Sequence, residues 1–236
     1  MGNNPDKDRP FFFTKPCDAT VDVSRGGSRI PYPQETSDLQ HEVELVVTIG
    51  KTGRNVPVDL AMKYVFGVAV GVDLTRRDLQ LAAKKAGGPW DCSKGFDFSA
   101  PVGAITPLMT AAFTAKDYKA NEMEARREWK ARGEIGEKRE QGDFVPMEER
   151  DISLSVDGQV RQKGKLGEMV WSIAHMVSRL SELYTIEPGD ILFTGTPAGV
   201  GPLKTGENVE AVVQGLQPCC FTVDEPLQPT PSPIRR

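Results

Sequence analysis

Two glutamates, Glu42 and Glu44, stand two residues apart in a strongly apolar run, LQHEVELVVTIG at 39–50. Because side chains two residues apart in a β-strand point to the same side of the sheet, we expect the two carboxylates to share one face. The aliphatic side chains are then expected on the opposite face: Val43, Leu45, Val47 and Ile49. The carboxylate face looks either into water or towards a positively charged group.

A third carboxylate, Asp73, follows the apolar part of a second run, YVFGVAVGVDLTRRDLQ at 64–80. An apolar stretch without alternation is typical of a strand that is buried on both faces. If the turn after Asp73 is helical, Arg77 and Gln80 follow at i+4 and i+7 and share its face. The spacing leaves open whether these side chains converge on a ligand or whether Asp73 and Arg77 form a structural ion pair.

Three carboxylates without a nearby cysteine or paired histidines suit a hard cation. Mg²⁺ prefers oxygen ligands and keeps several waters, which leaves positions for a chelating substrate. Clustering the carboxylates without a cation would cost several kcal/mol in repulsion and desolvation, and one of them would take up a proton. These residue types therefore favour a metal site, provided that the fold brings Glu42, Glu44 and Asp73 together.

Short strands separated by Gly, Pro and Asp turns are predicted to carry these side chains. The strands are expected at 43–49, 65–72, 152–156, 159–163, 191–194 and 209–213. Asp157-Gly158, in SVDGQV, indicates a tight hairpin, because this pair tolerates the positive φ angles of a type I′ turn. The pattern therefore predicts a mixed α/β fold that is mainly β.

Two helices are predicted. KLGEMVWSIAHMVSRLSELY carries apolar residues at helical spacing and indicates a helix at 167–184. A second helix is expected in TRRDLQLAAKKAGG, with Thr75 as its N-cap and Asp78 three residues later. Gly87 and Gly88 are expected to end it, because glycine accepts the left-handed conformation.

We expect one domain over residues 1–225, interrupted by a segment of different composition. Residues 111–147 are crowded with charges of both signs and contain few strand formers, which indicates a charged surface insertion. A partner-binding helix is the alternative interpretation of this segment. Residues 226–236 form a Pro-rich tail.

Composition limits the classes of function. The net charge of −4 comes without a basic block, which argues against a nucleic-acid partner. No stretch is long and apolar enough to predict a membrane span. The four cysteines lack the paired spacings of zinc sites, and adjacent Cys219 and Cys220 do not form a relaxed disulfide, so a reducing compartment such as the cytoplasm is expected.

Several motifs together resemble one family. HEVEL, GVDLTRRDLQ, SKGFDFSAPVG and EPGDILFTGTPAGVGPL occur in the order and spacing of the fumarylacetoacetate hydrolase family, and PFFFTKP near the start matches as well. The chain is most similar to its acylpyruvate and fumarylpyruvate hydrolase branch. The resemblance covers most of 10–110 and 150–225, and it implies a rolled β-sheet or barrel with flanking helices.

The resemblance also implies roles for individual residues. Glu42, Glu44 and Asp73 match carboxylates that hold Mg²⁺ or Mn²⁺, and Lys94 matches the active-site lysine that polarises a substrate carbonyl. Without the resemblance, Lys94 would be interpreted as a surface lysine. The positions that match substrate-binding residues are Arg77, Gln80, Thr196 and Lys15, the last of them on the rim of the pocket.

The implied reaction is hydrolysis of a carbon–carbon bond in a 1,3-diketo acid of the acylpyruvate type, with fumarylpyruvate as one candidate. The metal would act as Lewis acid and template, and Lys94 would stabilise the enolate that develops. The family resemblance implies a homodimer. The expected partners are therefore a small diketo acid and a second copy of the chain, with no nucleic acid and no membrane.

The sequence departs from the family in how water would be activated. Family members use a His and a Glu on a segment upstream of PFFFTKP, whereas here only nine residues precede Pro10 and none is His. His41 is expected on the opposite strand face from Glu42, and His175 is expected as a packed or surface residue of a helix. Neither is interpreted as the missing base.

Three explanations of this departure stay open. The chain is part of a longer protein, in which case a mitochondrial location is also possible. Alternatively, it is a short form that binds metal and diketo acid but turns over poorly, and it works as a binding or regulatory subunit. The third explanation is a reaction that needs only the metal and Lys94, such as oxaloacetate decarboxylation or an isomerisation.

Overall fold

The computed structural model describes residues 9–108 and 147–228. The strands in these ranges are β1 (Thr20–Asp22), β2 (Ser28–Pro31), β3 (Leu39–His41), β4 (Val43–Ile49), β5 (Val65–Val72), β6 (Thr75–Arg76), β7 (Ala100–Val102), β8 (Thr106–Pro107), β9 (Asp151–Val156), β10 (Gln159–Lys165), β11 (Ile191–Phe193), β12 (Gly201–Pro202), β13 (Asn208–Val213) and β14 (Cys219–Asp224). The α-helices are α1 (Val58–Ala61), α2 (Arg77–Ala86), α3 (Asp91–Lys94) and α4 (Ile173–Leu183). The predicted mixed, mainly β fold is confirmed, and each of the six predicted strands is present.

The strands form three sheets. The largest has the order β1-β7-β5-β4-β11, with β8 paired to β5. A second sheet has the order β10-β9-β13-β14-β2, and a small third sheet joins β12, β3 and β6. The sheets curl into a half-barrel that is accompanied by helices, which confirms the predicted rolled architecture.

The centre of the fold is the antiparallel pair β4 and β5, in which Val43 lies opposite Val72 and Glu44 lies opposite Gly71. One face of β4 enters the main hydrophobic core, as the alternation predicts, through Val43, Leu45, Val47 and Ile49. The other face is also buried, because Val46 packs with Ala69 and Val102 in a second cluster. The carboxylate face therefore does not look into water.

The predicted hairpin between β9 and β10 is confirmed. Asp157 and Gly158 have φ angles of 47° and 75°, the positive values that a type I′ turn requires. The register of β10 shifts between Val160 and Gln162, so that Arg161 forms a bulge. A bulge re-aims the side chain that follows it, and Gln162 is accordingly directed inward from an otherwise exposed strand.

The predicted start of the helix at 167–184 is wrong, because α4 begins at Ile173. The hydroxyl of Ser172 accepts the backbone N–H of His175, and this N-cap sets the first turn. Upstream, Leu166–Glu168 form a separate 3-10 turn, in which the Glu168 carboxylate accepts the N–H of Lys165. Apolar spacing continued across both elements, but the local caps divide them.

The start of α2 also differs from the prediction, whereas its end agrees. Thr75 lies in β6 instead of capping the helix, which begins at Arg77. The Asp78 carboxylate accepts hydrogen bonds from Thr36 and Ser37, outside the helix. Gly87 ends the helix in the left-handed conformation, with a φ of 66°.

Some of the predictions concern residues outside the described ranges. These are the charged insertion, apart from its last residue, and most of the Pro-rich tail. Within 9–108 and 147–228, no helix has the length and apolarity needed to cross a membrane. All four cysteines are free, as expected for Cys219 and Cys220.

Gly71 provides a test of the packing that surrounds the carboxylate face. A Cβ at this position would lie 2.6 Å from Val46 Cγ2 and 2.8 Å from Phe193 Cε1. We expect Gly71→Ala to lower the free energy of unfolding by about 1–3 kcal/mol, because the centre of the sheet has no room for the methyl group. Urea unfolding followed by fluorescence measures the change.

Gly88→Ala is the matched control, since its nearest neighbour would be Ala83 O at 3.8 Å. The control is expected to change stability by no more than about 0.5 kcal/mol. Equal unfolding midpoints for the two variants would show that β4, β5 and β11 do not pack as described.

Candidate active site

Three carboxylates meet at one end of the β4–β5 pair. Glu44 lies within β4, Glu42 lies at the break between β3 and β4, and Asp73 directly follows β5. The backbone N–H of Asp73 donates to the carbonyl oxygen of Glu42 at 2.8 Å, which continues the register of the two strands. One oxygen of each carboxylate lies within 4.8 Å of the others.

The cluster is almost closed to solvent. Glu42, Glu44 and Asp73 are 9%, 4% and 1% exposed, respectively. Burying three like charges together is unfavourable unless other charges compensate for them. The surrounding cations and the protonation of the carboxylates therefore decide what this site can bind.

Among the described residues, three cations face the carboxylates. Lys94 Nζ lies 2.9 Å from Glu42 Oε2 and 2.5 Å from Asp73 Oδ2, so one ammonium joins two carboxylates. Lys15 Nζ lies 2.8 Å from Asp73 Oδ1, and Arg77 Nη2 lies 2.5 Å from Glu42 Oε1. Each carboxylate that the cations contact therefore has two positively charged groups within ion-pair distance.

Glu44 is held differently. Its Oε2 accepts the backbone N–H of Gly195 at 2.5 Å, and within the described ranges no Lys, Arg or His forms an ion pair with it. Burial raises the pKa of Glu44 well above its usual range, and the charges of Asp73 and Glu42 add to this rise. The carboxyl group of Glu44 therefore takes up a proton at a higher pH than an ordinary glutamate does.

The pKa values of the two lysines shift in opposite directions. Burial alone would lower the pKa of Lys94, but the carboxylates of Asp73 and Glu42 outweigh this effect and raise it. Burial lowers the pKa of Lys15, and its ion pair with Asp73 offsets only part of the change. Lys94 is accordingly the more firmly charged of the two.

The donor set fits a hard divalent cation. All three groups are carboxylates, and the buried Asp73 Oδ1 forms an ion pair with Lys15 but accepts no hydrogen bond of good geometry within the described residues. A divalent ion would use that free lone pair and would replace the proton on Glu44. Glu42, Glu44 and Asp73 could therefore hold Mg²⁺ or Mn²⁺.

Lys94 reaches the cluster from α3, and its side chain is 2% exposed. Its backbone carbonyl accepts hydrogen bonds from Ser99 Oγ at 2.9 Å and from Lys15 Nζ, which fix the end of the helix. The ring of Phe13 lies 5.1 Å from the ammonium. The residue pattern alone indicated a surface lysine, and the structure contradicts that interpretation.

Arg77 and Gln80 lie together beside Glu42. Arg77 Nη1 donates to Gln80 Oε1 at 2.5 Å, and Arg77 Nε donates to Gln40 Oε1 at 2.8 Å. The prediction that Arg77 and Gln80 share a helical face with Asp73 is wrong. The chain is extended at 75–76, and α2 begins only at Arg77. Glu42, instead of Asp73, is the carboxylate that Arg77 contacts.

The predicted substrate-binding residues thus lie in different surroundings. Lys15, which was expected on the pocket rim, is only 10% exposed and contacts Asp73 directly. Thr196 follows Gly195 in the loop after β11 and accepts a hydrogen bond from Gln162 Nε2 at 2.8 Å. Gln162 was not identified from the sequence, and the only signal for it is a polar side chain in the middle of a predicted strand.

Neither histidine contacts the carboxylates. His41 Nδ1 lies 2.8 Å from Gln162 Oε1, and burial lowers the pKa of His41. His175 is exposed in α4, where its Nδ1 lies 2.8 Å from the hydroxyl of Ser172. The expectation that His175 is a packed or surface residue of a helix is thus confirmed.

A cavity of about 350 Å³ lies on the other side of β4. It is reached by Leu45, which belongs to the core face of the strand, and none of the three carboxylates lines it. The lining side chains are mainly apolar: Leu45, Met62, Met147, Leu166, Met169, Ile173 and Ala174. This cavity and the acidic cluster are thus separate features.

Comparison with known proteins identifies the family to which these features belong. A family model described as fumarylacetoacetate hydrolase, C-terminal, matches residues 1–224. A fumarylpyruvate hydrolase of Ralstonia sp is 32% identical over 225 residues, which cover 94% of this chain and 98% of that protein. A mitochondrial oxaloacetate tautomerase of Homo sapiens is 36% identical over 218 residues, which cover 92% of this chain and 82% of that protein.

A solved structure is similar over nearly the same range. The fumarylpyruvate hydrolase of Pseudomonas aeruginosa, in complex with Mn²⁺ and pyruvate, is 35% identical and superposes with a TM-score of 0.78. The match covers 95% of this chain and 83% of that chain. The predicted family resemblance is confirmed.

The raised pKa of Glu44 predicts how metal binding depends on pH. Without an ion, the protonated Glu44 contributes stability at low pH that is lost as the pH rises through its raised pKa. An ion must displace that proton, so Mn²⁺ affinity is expected to fall by about tenfold for each pH unit below the pKa of Glu44. Calorimetric titration of Mn²⁺ at a series of pH values above 4.5, the ordinary pKa of a glutamate, measures this dependence.

Removing the carboxyl group of Glu44 should flatten the pH dependence of Mn²⁺ affinity. In Glu44→Gln, binding is expected to be weaker at every pH and to lose the part of the slope that Glu44 contributes. Mn²⁺ affinity that is independent of pH in the unmodified protein would contradict a proton on this carboxylate.

Proposed function

The chain belongs to the fumarylacetoacetate hydrolase family, and we propose that it is a metal-dependent enzyme that hydrolyses a carbon–carbon bond in acylpyruvate-type 1,3-diketo acids, fumarylpyruvate among them. One observation carries the proposal. Three buried carboxylates approach within 4.8 Å of one another, beside the ammonium of Lys94. This arrangement combines a site for a divalent ion with a cationic proton donor.

Glu42, Glu44 and Asp73 would hold the ion, with Mg²⁺ proposed as the metal in the cell and Mn²⁺ as its substitute. When bound, a divalent ion supplies Lewis-acid polarisation and a template for an α-keto acid. The protein contributes a site closed to bulk water, in which the charges of an ionic substrate are felt strongly. A homodimer and a small diketo-acid substrate complete the proposal.

Lys94 is proposed as the group that stabilises the enolate. Its ammonium has three N–H donors, and two of them are engaged by Glu42 and Asp73. The third is available to a substrate oxygen on which negative charge develops as the carbon–carbon bond breaks. Because its pKa is raised, the group stays protonated and can deliver a proton to the product.

Arg77, Gln80, Thr196 and Lys15 are proposed to position the substrate. Gln80 accepts from Arg77, which fixes its amide and leaves its N–H donors for a ligand. Lys15 neutralises Asp73 and orders the end of α3 through the carbonyl of Lys94. The loop that carries Thr196 is joined to Glu44 through the N–H of Gly195.

A second function, tautomerisation or decarboxylation of oxaloacetate, is favoured by a different observation. Hydrolysis needs an activated water, and neither histidine of the described residues contacts the acidic cluster. Decarboxylation of oxaloacetate releases CO₂ and leaves an enolate, and tautomerisation moves a proton from carbon to oxygen within the substrate, so neither reaction needs an activated water. Both functions use the same residues, so the residues of the site do not distinguish them. Assays with the two substrates do.

Turnover of the two substrate classes tests the proposal directly. We expect the Mn²⁺-loaded protein to release pyruvate from an acylpyruvate, and Lys94→Met to lower kcat by roughly 100-fold or more because the enolate loses its donor. Mn²⁺ binding should persist in this variant, since the carboxylates remain. A coupled pyruvate assay and calorimetry measure the two properties.

Lys84→Met, on the exposed side of α2, is the matched control and should retain full activity. Turnover of oxaloacetate alone would replace the hydrolase proposal by the second function. Bound Mn²⁺ without turnover of either substrate would favour a binding subunit, and an unaffected Lys94→Met enzyme would contradict the role of Lys94.

A further inference from the structure

A buried glutamine, Gln162 on β10, connects two parts of the candidate active site, and its side chain is 1% exposed. Its Oε1 lies 2.8 Å from His41 Nδ1 and accepts the backbone N–H of Val43 at 3.1 Å. Its Nε2 donates to Thr196 Oγ1 at 2.8 Å and to the carbonyl oxygen of Pro197 at 2.9 Å. One side-chain amide therefore uses two acceptor and two donor positions at once.

Two of these partners fix the orientation of the amide. The backbone N–H of Val43 can only donate, and the carbonyl of Pro197 can only accept. Turning the amide by half a rotation would set donor against donor at Val43 and acceptor against acceptor at Pro197. The orientation therefore follows from obligate groups and does not depend on the assignment of hydrogens.

This orientation determines the hydrogens of the other two partners. Because Gln162 Oε1 accepts, His41 Nδ1 must carry the proton of the neutral ring. Because Gln162 Nε2 donates, Thr196 Oγ1 must accept. The hydroxyl hydrogen of Thr196 is then directed away from Gln162 and can be donated to a ligand.

The loop that carries Thr196 is seated on the backbone of β10. A Cβ on Gly199 would overlap the carbonyl oxygen of Arg161, and Gly199 has a φ of 101°, which favours glycine. A Cβ on Gly164 would lie 2.9 Å from Pro197 Cβ. Close approach at two glycines thus brings the loop within hydrogen-bonding reach of Gln162.

The other partners of Gln162 lie on either side of Glu42. His41 and Val43 are the two neighbours of Glu42 in the chain, and both form hydrogen bonds with Gln162 Oε1. Gly195, next to Thr196, donates to Glu44. One amide therefore fixes the relation between the acidic cluster and the loop hydroxyl.

We infer that Gln162 is a positioning residue for the substrate: it holds Thr196 so that the hydroxyl hydrogen is presented to the carboxylate of an α-keto acid. The inference rests on the function proposed above. Gln162 itself does not touch the substrate and acts through Thr196.

Gln162→Glu tests this role, because the introduced carboxylate still accepts from His41 and Val43 but cannot donate to Thr196. The Thr196 hydroxyl would then donate to the new carboxylate and turn away from the ligand. With pyruvate as the probe and Mn²⁺ saturating, we expect the Kd of pyruvate to rise roughly tenfold, while the Kd of Mn²⁺ changes less than about threefold. Calorimetry measures both constants.

A double-mutant cycle separates positioning from general damage. Thr196→Val should raise the Kd of pyruvate as much as Gln162→Glu does, and the double variant should bind no more weakly than Thr196→Val alone. Thr196→Ser should restore affinity. Gln159→Glu, the same change at an exposed position of β10, should bind pyruvate as the unmodified protein does.

Three results would overturn the inference. They are an unchanged pyruvate Kd in Gln162→Glu, additive losses in the double variant, and an equal loss in Gln159→Glu. If Gln162→Glu does not fold, Gln162→Met removes the same donor, and an unchanged Kd in that variant also overturns the inference. Failure of the unmodified protein to bind Mn²⁺ or pyruvate would remove the proposed function as well.

The hydrogen-bond network can be tested without metal or substrate. Nitrogen NMR of the metal-free, histidine-labelled protein at neutral pH should show His41 protonated at Nδ1. A neutral ring protonated only at Nε2 would contradict the orientation of Gln162 and with it the inference.

Discussion

The structure depends on the burial of three carboxylates in one place. Glu42, Glu44 and Asp73 would repel one another strongly in an environment of low polarity, and the fold compensates for them in two ways. Lys94, Lys15 and Arg77 neutralise Glu42 and Asp73 through ion pairs. Glu44 has a backbone hydrogen bond and a raised pKa instead, so the negative charge that it gains on losing its proton is left for a bound cation to balance.

The fold imposes this proximity through backbone register. Antiparallel pairing of β4 with β5 sets Glu44 opposite Gly71, and the hydrogen bond from Asp73 to Glu42 extends the pairing by one step. The remaining elements bring counter-charges to that point, since α3 supplies Lys94 and the first turn of α2 supplies Arg77. Position in the sheet, more than local sequence, thus determines the electrostatics of the site.

Features that depend on local chemistry could be predicted from the sequence. The alternation of β4, the Asp157-Gly158 turn and the end of α2 at Gly87 each follow from side-chain period or from permitted φ angles. Helix starts were missed, because Ser172 caps α4 late and Thr75 is drawn into β6 by pairing with Gln40. Tertiary pairing and local capping outweighed the apolar spacing at both places.

The residues of the candidate site were likewise predictable from the sequence only in part. Glu42 and Glu44 share a face because of strand period, but the burial of Lys94 depends on how α3 docks against Ser99 and Lys15. The position of Gln162 depends on the bulge at Arg161, which interrupts the alternation of β10. Neither docking nor a bulge leaves a periodic signal in the sequence. Only the family motif pointed to Lys94, and the one signal for Gln162 was a polar side chain within a predicted strand.

The most direct measurement is anomalous X-ray diffraction from crystals of this protein grown with Mn²⁺. A peak should lie among Glu42, Glu44 and Asp73, about 2.1 Å from an oxygen of each, with the Lys94 ammonium adjacent to it. A saturated crystal with no peak among these carboxylates, or with its only ordered Mn²⁺ elsewhere, would contradict the central claim.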